Sequence, residues 1–142
     1  MTHQQLSMRR AAWILIGTGI VFVLTALPAF HPAARIFLQI AYWPIHDVPA
    51  NLAVPAPLLI AISGGLTAGL GGMLWALATH VAPISPTAAT KVTQIAAWSW
   101  FSTDSIGSVF VGAPMNVVLN LSFLALMLLS CKSQVRETAV AT

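Results

Sequence analysis

The sequence predicts an all-α, polytopic membrane protein with four transmembrane helices and a short interfacial helix in the first outer loop. Three observations predict it. Of 142 residues, 58% are hydrophobic and 6% are charged, whereas soluble domains carry about 25% charged residues. A soluble fold would lack polar surface to cover itself, and the bilayer is the solvent that suits this composition. Four apolar stretches, each separated from the next by proline or glycine, read as spans at residues 11–30, 57–79, 88–111 and 115–131. The cations then divide five to one between the two sides. Residues 1–142 form one domain, and no internal repeat is evident.

The first stretch follows Arg9 and Arg10. A signal peptide also opens with positive charge, but its apolar region runs only about 7–15 residues and ends at a small-residue cleavage site. Here the apolar run has the roughly 20 residues a span needs and no A-x-A follows it, so it reads as a retained helix. The polar run 1–8 before it and the run 133–142 at the other end read as mobile tails.

The second span starts around Pro55 and Pro57, where a missing N–H is no loss. The third starts at "SPTAATK", with Ser85 as N-cap and Pro86 as first helical residue. Gly112 stops it, and Pro114 opens the fourth. With these spans, Arg9, Arg10, Lys91, Lys132 and Arg136 share one side and Arg35 takes the other. The positive-inside rule places both termini in the cytoplasm of a bacterial inner membrane, and residues 31–56 outside. A net charge of +3, scattered beside apolar segments, is no phosphate-binding patch, so nucleic acid is not expected as a partner.

The outer loop is too long for a tight turn and too apolar for a solvated one. Ile36, Phe37, Ile40, Ala41 and Trp43 lie near one face at helical spacing, with Arg35 and Gln39 on another. That pattern fits a short helix lying in the interface, with Tyr42 and Trp43 at headgroup level. Trp43, His46 and Asp47 are candidate outer-loop contacts. The His-Asp pair serves as a proton relay, metal site or ligand contact on one reading, and as a water-facing polar pair on the other.

The second span, "AISGGLTAGLGGMLWALATH", carries two small-residue ridges. Ala61, Gly65 and Gly69 recur at four-residue spacing, as do Gly64, Ala68, Gly72 and Ala76. Between membrane helices, close backbone contact and dispersion replace the hydrophobic effect. Gly64, Gly65, Gly69 and Gly72 therefore read as packing positions, at the bundle centre or against a partner subunit. A flat cofactor lying on the smooth face is the functional alternative.

Polar residues recur across the third and fourth spans. Asp104 lies eight residues before Gly112 and Asn120 eight after, each about 12 Å along the helix axis at 1.5 Å per residue. Ser108 and Asn116 match likewise, four residues either side. Trp100, Asp104 and Ser108 share a face, and so do Asn116 and Asn120. An aspartate at a lipid-facing helix centre costs about 2.5–3.5 kcal/mol, so both stripes are expected to point at each other. They form a ligand-binding site, with aromatic walls from Trp98, Trp100 and Phe101, or a buried polar clasp that fixes the helix pair.

The block "WFSTDSIGSVFVGAPMNVVLNLSFLALMLL", with "YWP" in the outer loop, resembles a group of small four-helix integral membrane proteins of proteobacteria. The resemblance covers mainly the second half of the chain. It implies an inner-membrane location and brings no activity with it.

No H-E-x-x-H, G-x-S-x-G or paired acids occur. No histidine lies mid-span, which argues against bis-histidine haem. The single cysteine, Cys131, excludes an intrachain disulfide. The expectation is a non-enzyme with no metal and no cofactor, an accessory or assembly subunit whose partners are the lipid bilayer and other membrane subunits or further copies of itself. The alternatives are a binder of a small amphiphile (quinone, lipid or pigment) in the outer half of the bundle, and a small proton-coupled transporter.

Overall fold

The computed structural model describes residues 1–45, 47 and 48, and 55–131. His46, Lys132 and Arg136 lie outside the described residues, as does the run 133–142. All regular structure among the described residues is helical. The helices are α1 (His3–Thr25), α2 (His31–Tyr42), α3 (Pro55–Ala76), α4 (Pro86–Phe110) and α5 (Pro114–Cys131), with a 3₁₀ turn at Pro28–Phe30 and a π-helical turn at Leu77–Val81.

Helix α1 begins well before the apolar run. Thr2 Oγ1 accepts from the Gln5 backbone N–H at 3.3 Å, and the Thr2 N–H donates to Gln5 Oε1 at 2.9 Å. This reciprocal capping box satisfies two of the first-turn donors. Gln4, Gln5 and Met8 are buried behind it. The expected N-terminal tail is therefore the first two turns of α1, held by its cap and by burial. At the other end Pro28 cannot continue the helix. The expected span 11–30 thus ends as α-helix at Thr25 and passes through the 3₁₀ turn directly into α2.

The remaining boundaries follow local chemistry. Ser85 Oγ accepts from the Ala88 N–H at 3.3 Å, with Pro86 first in the helix. Gly112 takes φ 74°. Its N–H donates to Val109 O at 3.1 Å and the Ala113 N–H to Ser108 O at 2.8 Å, which is the bonding pattern of a Schellman motif. α3 closes through the π turn, where the Ala82 N–H reaches back five residues to Leu77 O at 2.8 Å.

Three helices are long and apolar enough to cross a membrane: His3–Thr25, Ala56–Val81 and Pro114–Cys131. α4 has the length, but Lys91, Thr93, Gln94, Asp104 and its serines make it too polar to join them on composition. Large apolar side chains face outward across the molecule, among them Trp13, Leu66, Ile95, Val109 and Phe110. This is the distribution of a helical bundle in lipid rather than in water.

α1 is the central helix. It packs along α3 on one side and α5 on the other, α4 packs on α5, and α2 lies against α5 and α1. The π turn touches α1 and α4 at one end. There the core gathers around Met8, Leu15, Leu74, Ala97 and Met127. The bundle centre assigned to the glycine-rich helix therefore belongs to α1.

The glycines explain that arrangement. A Cβ on Gly64 would come within 2.6 Å of Gly19 O and 2.8 Å of Val23 N, and one on Gly71 within 2.8 Å of Ala12 O. The backbones of α1 and α3 thus touch, and only glycine allows it. Among the described residues, Gly65, Gly69 and Gly72 have nothing within 4 Å of the same position. Of the four glycines read as packing positions, only Gly64 packs against another helix among the described residues. The other three lie on α3 faces turned away from α1.

α2 presents its apolar residues along one broad face, as expected, and packing divides that face in two. Phe37 turns inward onto Phe22, ring centroids 4.9 Å apart, and Ala41 is buried. Ile36, Ile40 and Trp43 are exposed on its other half.

Candidate functional site

The α4–α5 turn decides the geometry of the polar cluster. Its Schellman motif brings α5 back antiparallel to α4, so residues equidistant from Gly112 meet. Asn120 Nδ2 donates to Asp104 Oδ2. Asn116 Nδ2 donates to Ser108 Oγ at 2.8 Å and to Asp104 Oδ2 at 3.3 Å. Ser108 Oγ in turn donates to the Asp104 backbone carbonyl at 2.8 Å. Four side chains from two helices therefore form one connected network. Asn120 and Ser108 are buried and Asp104 is half-buried.

Trp100 does not join that network. It meets Phe123 edge-on, centroids 6.2 Å apart. Trp98 meets Phe101 in the same way at 6.0 Å and is itself exposed. The aromatic residues thus pack the α4–α5 seam and its exposed flank and do not wall a chamber around Asp104. Trp43 and Asp47 are exposed, and Asp47 is far in sequence from any described acid or histidine cluster. His46 lies outside the described residues. Among the described residues, no group of three histidine, cysteine or acidic side chains is placed to hold a metal ion.

A second polar cluster, not anticipated from the sequence, sits at the other end of the bundle. Gln4 Nε2 donates to Thr90 Oγ1 at 2.8 Å across 86 residues of sequence. Thr93 is fully buried and donates to Ala89 O at 2.8 Å. Ser130 and Cys131 are buried on α5 beside it, their side chains donating to Met127 O. The signal available in the sequence was the capping box: Thr2 and Gln5 mark residues 3–8 as helix, and Gln4 then faces the bundle.

On α4, Thr90, Thr93, Ala97, Phe101, Asp104 and Ser108 follow three- and four-residue spacing along one face. The hydroxyls at its start and the carboxyl near its end are separated by Ala97 and Phe101, which pack in the apolar core. A shallow apolar groove of about 280 Å³ runs beside the Asp104 cluster, lined by Ser105, Ile106, Val109, Phe110 and Val117. The Ser105 hydroxyl is buried there without a hydrogen-bond partner among the described residues.

No protein-family model, no curated protein and no solved structure matches this chain.

Proposed function

We propose that this protein is a non-enzymatic subunit of the bacterial inner membrane that acts through lateral contacts, as an accessory or assembly component of a larger membrane complex. One observation carries the reading. Among the described residues α3 meets α1 through its Gly64–Gly71 side, while Gly65 and Gly69 lie open on another side, where a second helix can approach as closely as α1 does. The outer polar cluster fits the same reading. Its amides and hydroxyl bond one another and the aspartate, as a clasp between helices does.

In this reading α4 is the fourth span. Its polar groups pair with α5, and its outward residues Val92, Ile95, Trp98, Ile106 and Val109 are exposed and apolar. With four spans, the five-to-one division of cations favours both termini in the cytoplasm. Cysteine labelling checks this topology. A cysteine introduced at either terminus is expected to resist impermeant reagents in intact cells, and labelling of either end from outside would remove the orientation.

The lateral reading is tested by gentle extraction, crosslinking and mass spectrometry. A stoichiometric protein partner, or a second copy, is expected with the wild-type chain. Gly69→Leu is expected to abolish its recovery while leaving the chain's own unfolding temperature unchanged. Recovery of the chain alone with lipid would sink the proposal.

The amphiphile-binding alternative rests on the groove beside Ser105, whose unpaired hydroxyl offers one polar contact. A co-purifying quinone or pigment would favour it. A proton-coupled transporter needs a polar path between the two clusters, and Ala97, Phe101 and Leu124 occupy that interval.

A further inference from the structure

α2 carries one cation, Arg35, which has no partner among the described residues. The Arg35 Nε is enclosed by the protein without a hydrogen bond, and no ion pair to the guanidinium occurs among the described residues. The whole sequence has three acidic residues. Of these, Asp104 is engaged by Asn116 and Asn120, Asp47 is exposed, and Glu137 lies outside the described residues. Residues 31, 35 and 39 follow one another at four-residue spacing and share a strip of α2. The first, His31, is occupied, with Nε2 3.2 Å from Ala26 O. Gln39 is exposed beside Arg35. This strip lies between the buried Ala34 and Ala41 on one side and the exposed Ile36, Ile40 and Trp43 on the other.

A guanidinium flanked by apolar surface needs a counter-charge, because leaving it unpaired at reduced dielectric is costly. Its planar fork of donors matches phosphate oxygens in pairs. An amphipathic helix that sinks its apolar flank into a bilayer lies at headgroup depth, and phosphodiesters are the anions abundant at that depth.

We propose that Arg35, with Gln39 beside it, binds the phosphodiester of an anionic membrane lipid and so anchors α2 in the headgroup layer. The inference rests on the membrane reading above. Lipids whose phosphate carries no cation of its own, such as phosphatidylglycerol, bind in preference to phosphatidylcholine, because choline competes with Arg35 for the same oxygens. The apolar flank formed by Ile36, Ile40 and Trp43 takes the upper part of the acyl chains, which free phosphate lacks.

The test uses the full chain reconstituted in phosphatidylcholine vesicles containing a minor fraction of phosphatidylglycerol, then re-extracted in mild detergent, with bound lipid counted by native mass spectrometry. Wild type is expected to retain phosphatidylglycerol above its bulk share. Arg35→Gln is expected to weaken retention about tenfold, the loss of a charge-assisted hydrogen bond. Arg35→Lys falls between, since it keeps the charge and loses the fork. Arg10→Gln, an exposed cation on α1 at the opposite end, leaves retention unchanged. Equal retention by Arg35→Gln and wild type overturns the site. Displacement of the lipid by an equal concentration of inorganic phosphate overturns the lipid as its ligand. Trp43 separates this failure from that of the membrane reading. Brominated lipid is expected to quench a component of the fluorescence that Trp43→Phe removes. Loss of that quenching in wild type would mean that α2 is not in the bilayer, which overturns both readings. Quenching without Arg35-dependent retention overturns the phosphodiester site alone.

Discussion

Asp104→Leu is expected to lower the unfolding temperature of the protein in detergent, while Asp104→Asn leaves it almost unchanged. Asp104 Oδ2 accepts from both Asn116 and Asn120. Asparagine at 104 keeps a side-chain oxygen for those donors at nearly the same volume. Leucine removes it and strands the Asn120 amide, whose residue is 5% exposed. An unsatisfied buried donor costs about 1–3 kcal/mol. Hydrogen bonds between membrane helices average about 0.6 kcal/mol and reach about 1.7, so the lower half of the first range is the better expectation. Asn116 suffers less, because it retains Ser108 at 2.8 Å.

The double variant Asp104→Leu with Asn120→Leu is expected to recover part of the loss, since no amide is then stranded. Stability then runs from wild type and Asp104→Asn, through the double variant, down to Asp104→Leu. Equal stability for all four would mean that the α4–α5 clasp contributes nothing. The same series separates clasp from ligand site. A clasp tolerates Asp104→Asn in every assay, whereas a ligand site that needs the carboxylate keeps its fold and loses retention of the ligand.

The second large effect is a sign reversal between adjacent glycines. Gly64→Ala places a methyl group 2.6 Å from Gly19 O and 2.8 Å from Val23 N. Those neighbours are backbone, so α1 and α3 must move apart, and overpacking of this kind costs about 1–3 kcal/mol. Removal of glycine from a helix interior offsets about 1 kcal/mol of that. Gly65→Ala meets nothing within 4 Å and shows the propensity gain alone. Thermal unfolding is expected to fall for the first and hold or rise for the second. A matching response at the two positions would contradict the α1–α3 contact.

These two effects differ in how far the sequence foretold them. The matched levels of Asp104 with Asn120 and of Ser108 with Asn116 were legible, because they depend on a local event. Gly112 can take a left-handed conformation, Pro114 starts a new helix, and an antiparallel return makes distance from the turn equal to depth. The starts of α3 and α4 were legible for the same kind of reason, in Pro55 and in Ser85 with Pro86. The N-terminal turns of α1 were legible too, in the Thr2–Gln5 pair, although the polarity of residues 1–8 suggested a tail.

The glycine contact was not legible. Two small-residue ridges run along adjacent faces of α3, and periodicity shows that both are smooth without showing which one meets a neighbour. Only the placement of α1 chooses Gly64 and Gly71 and leaves Gly65 and Gly69 open. The Gln4–Thr90 bond has the same character, since it joins residues far apart in sequence and no local signal links them. The sequence by itself determined where α3, α4 and α5 begin and where α4 ends, and that α4 and α5 pair through polar groups at equal depth. The tertiary structure alone decided which helix is central, which α3 face is spent on α1 and that Arg35 meets no counter-charge among the described residues. Helix ends and hairpin levels follow from backbone hydrogen bonds within a few residues. Helix neighbours follow from shape complementarity between surfaces that the chain order does not specify.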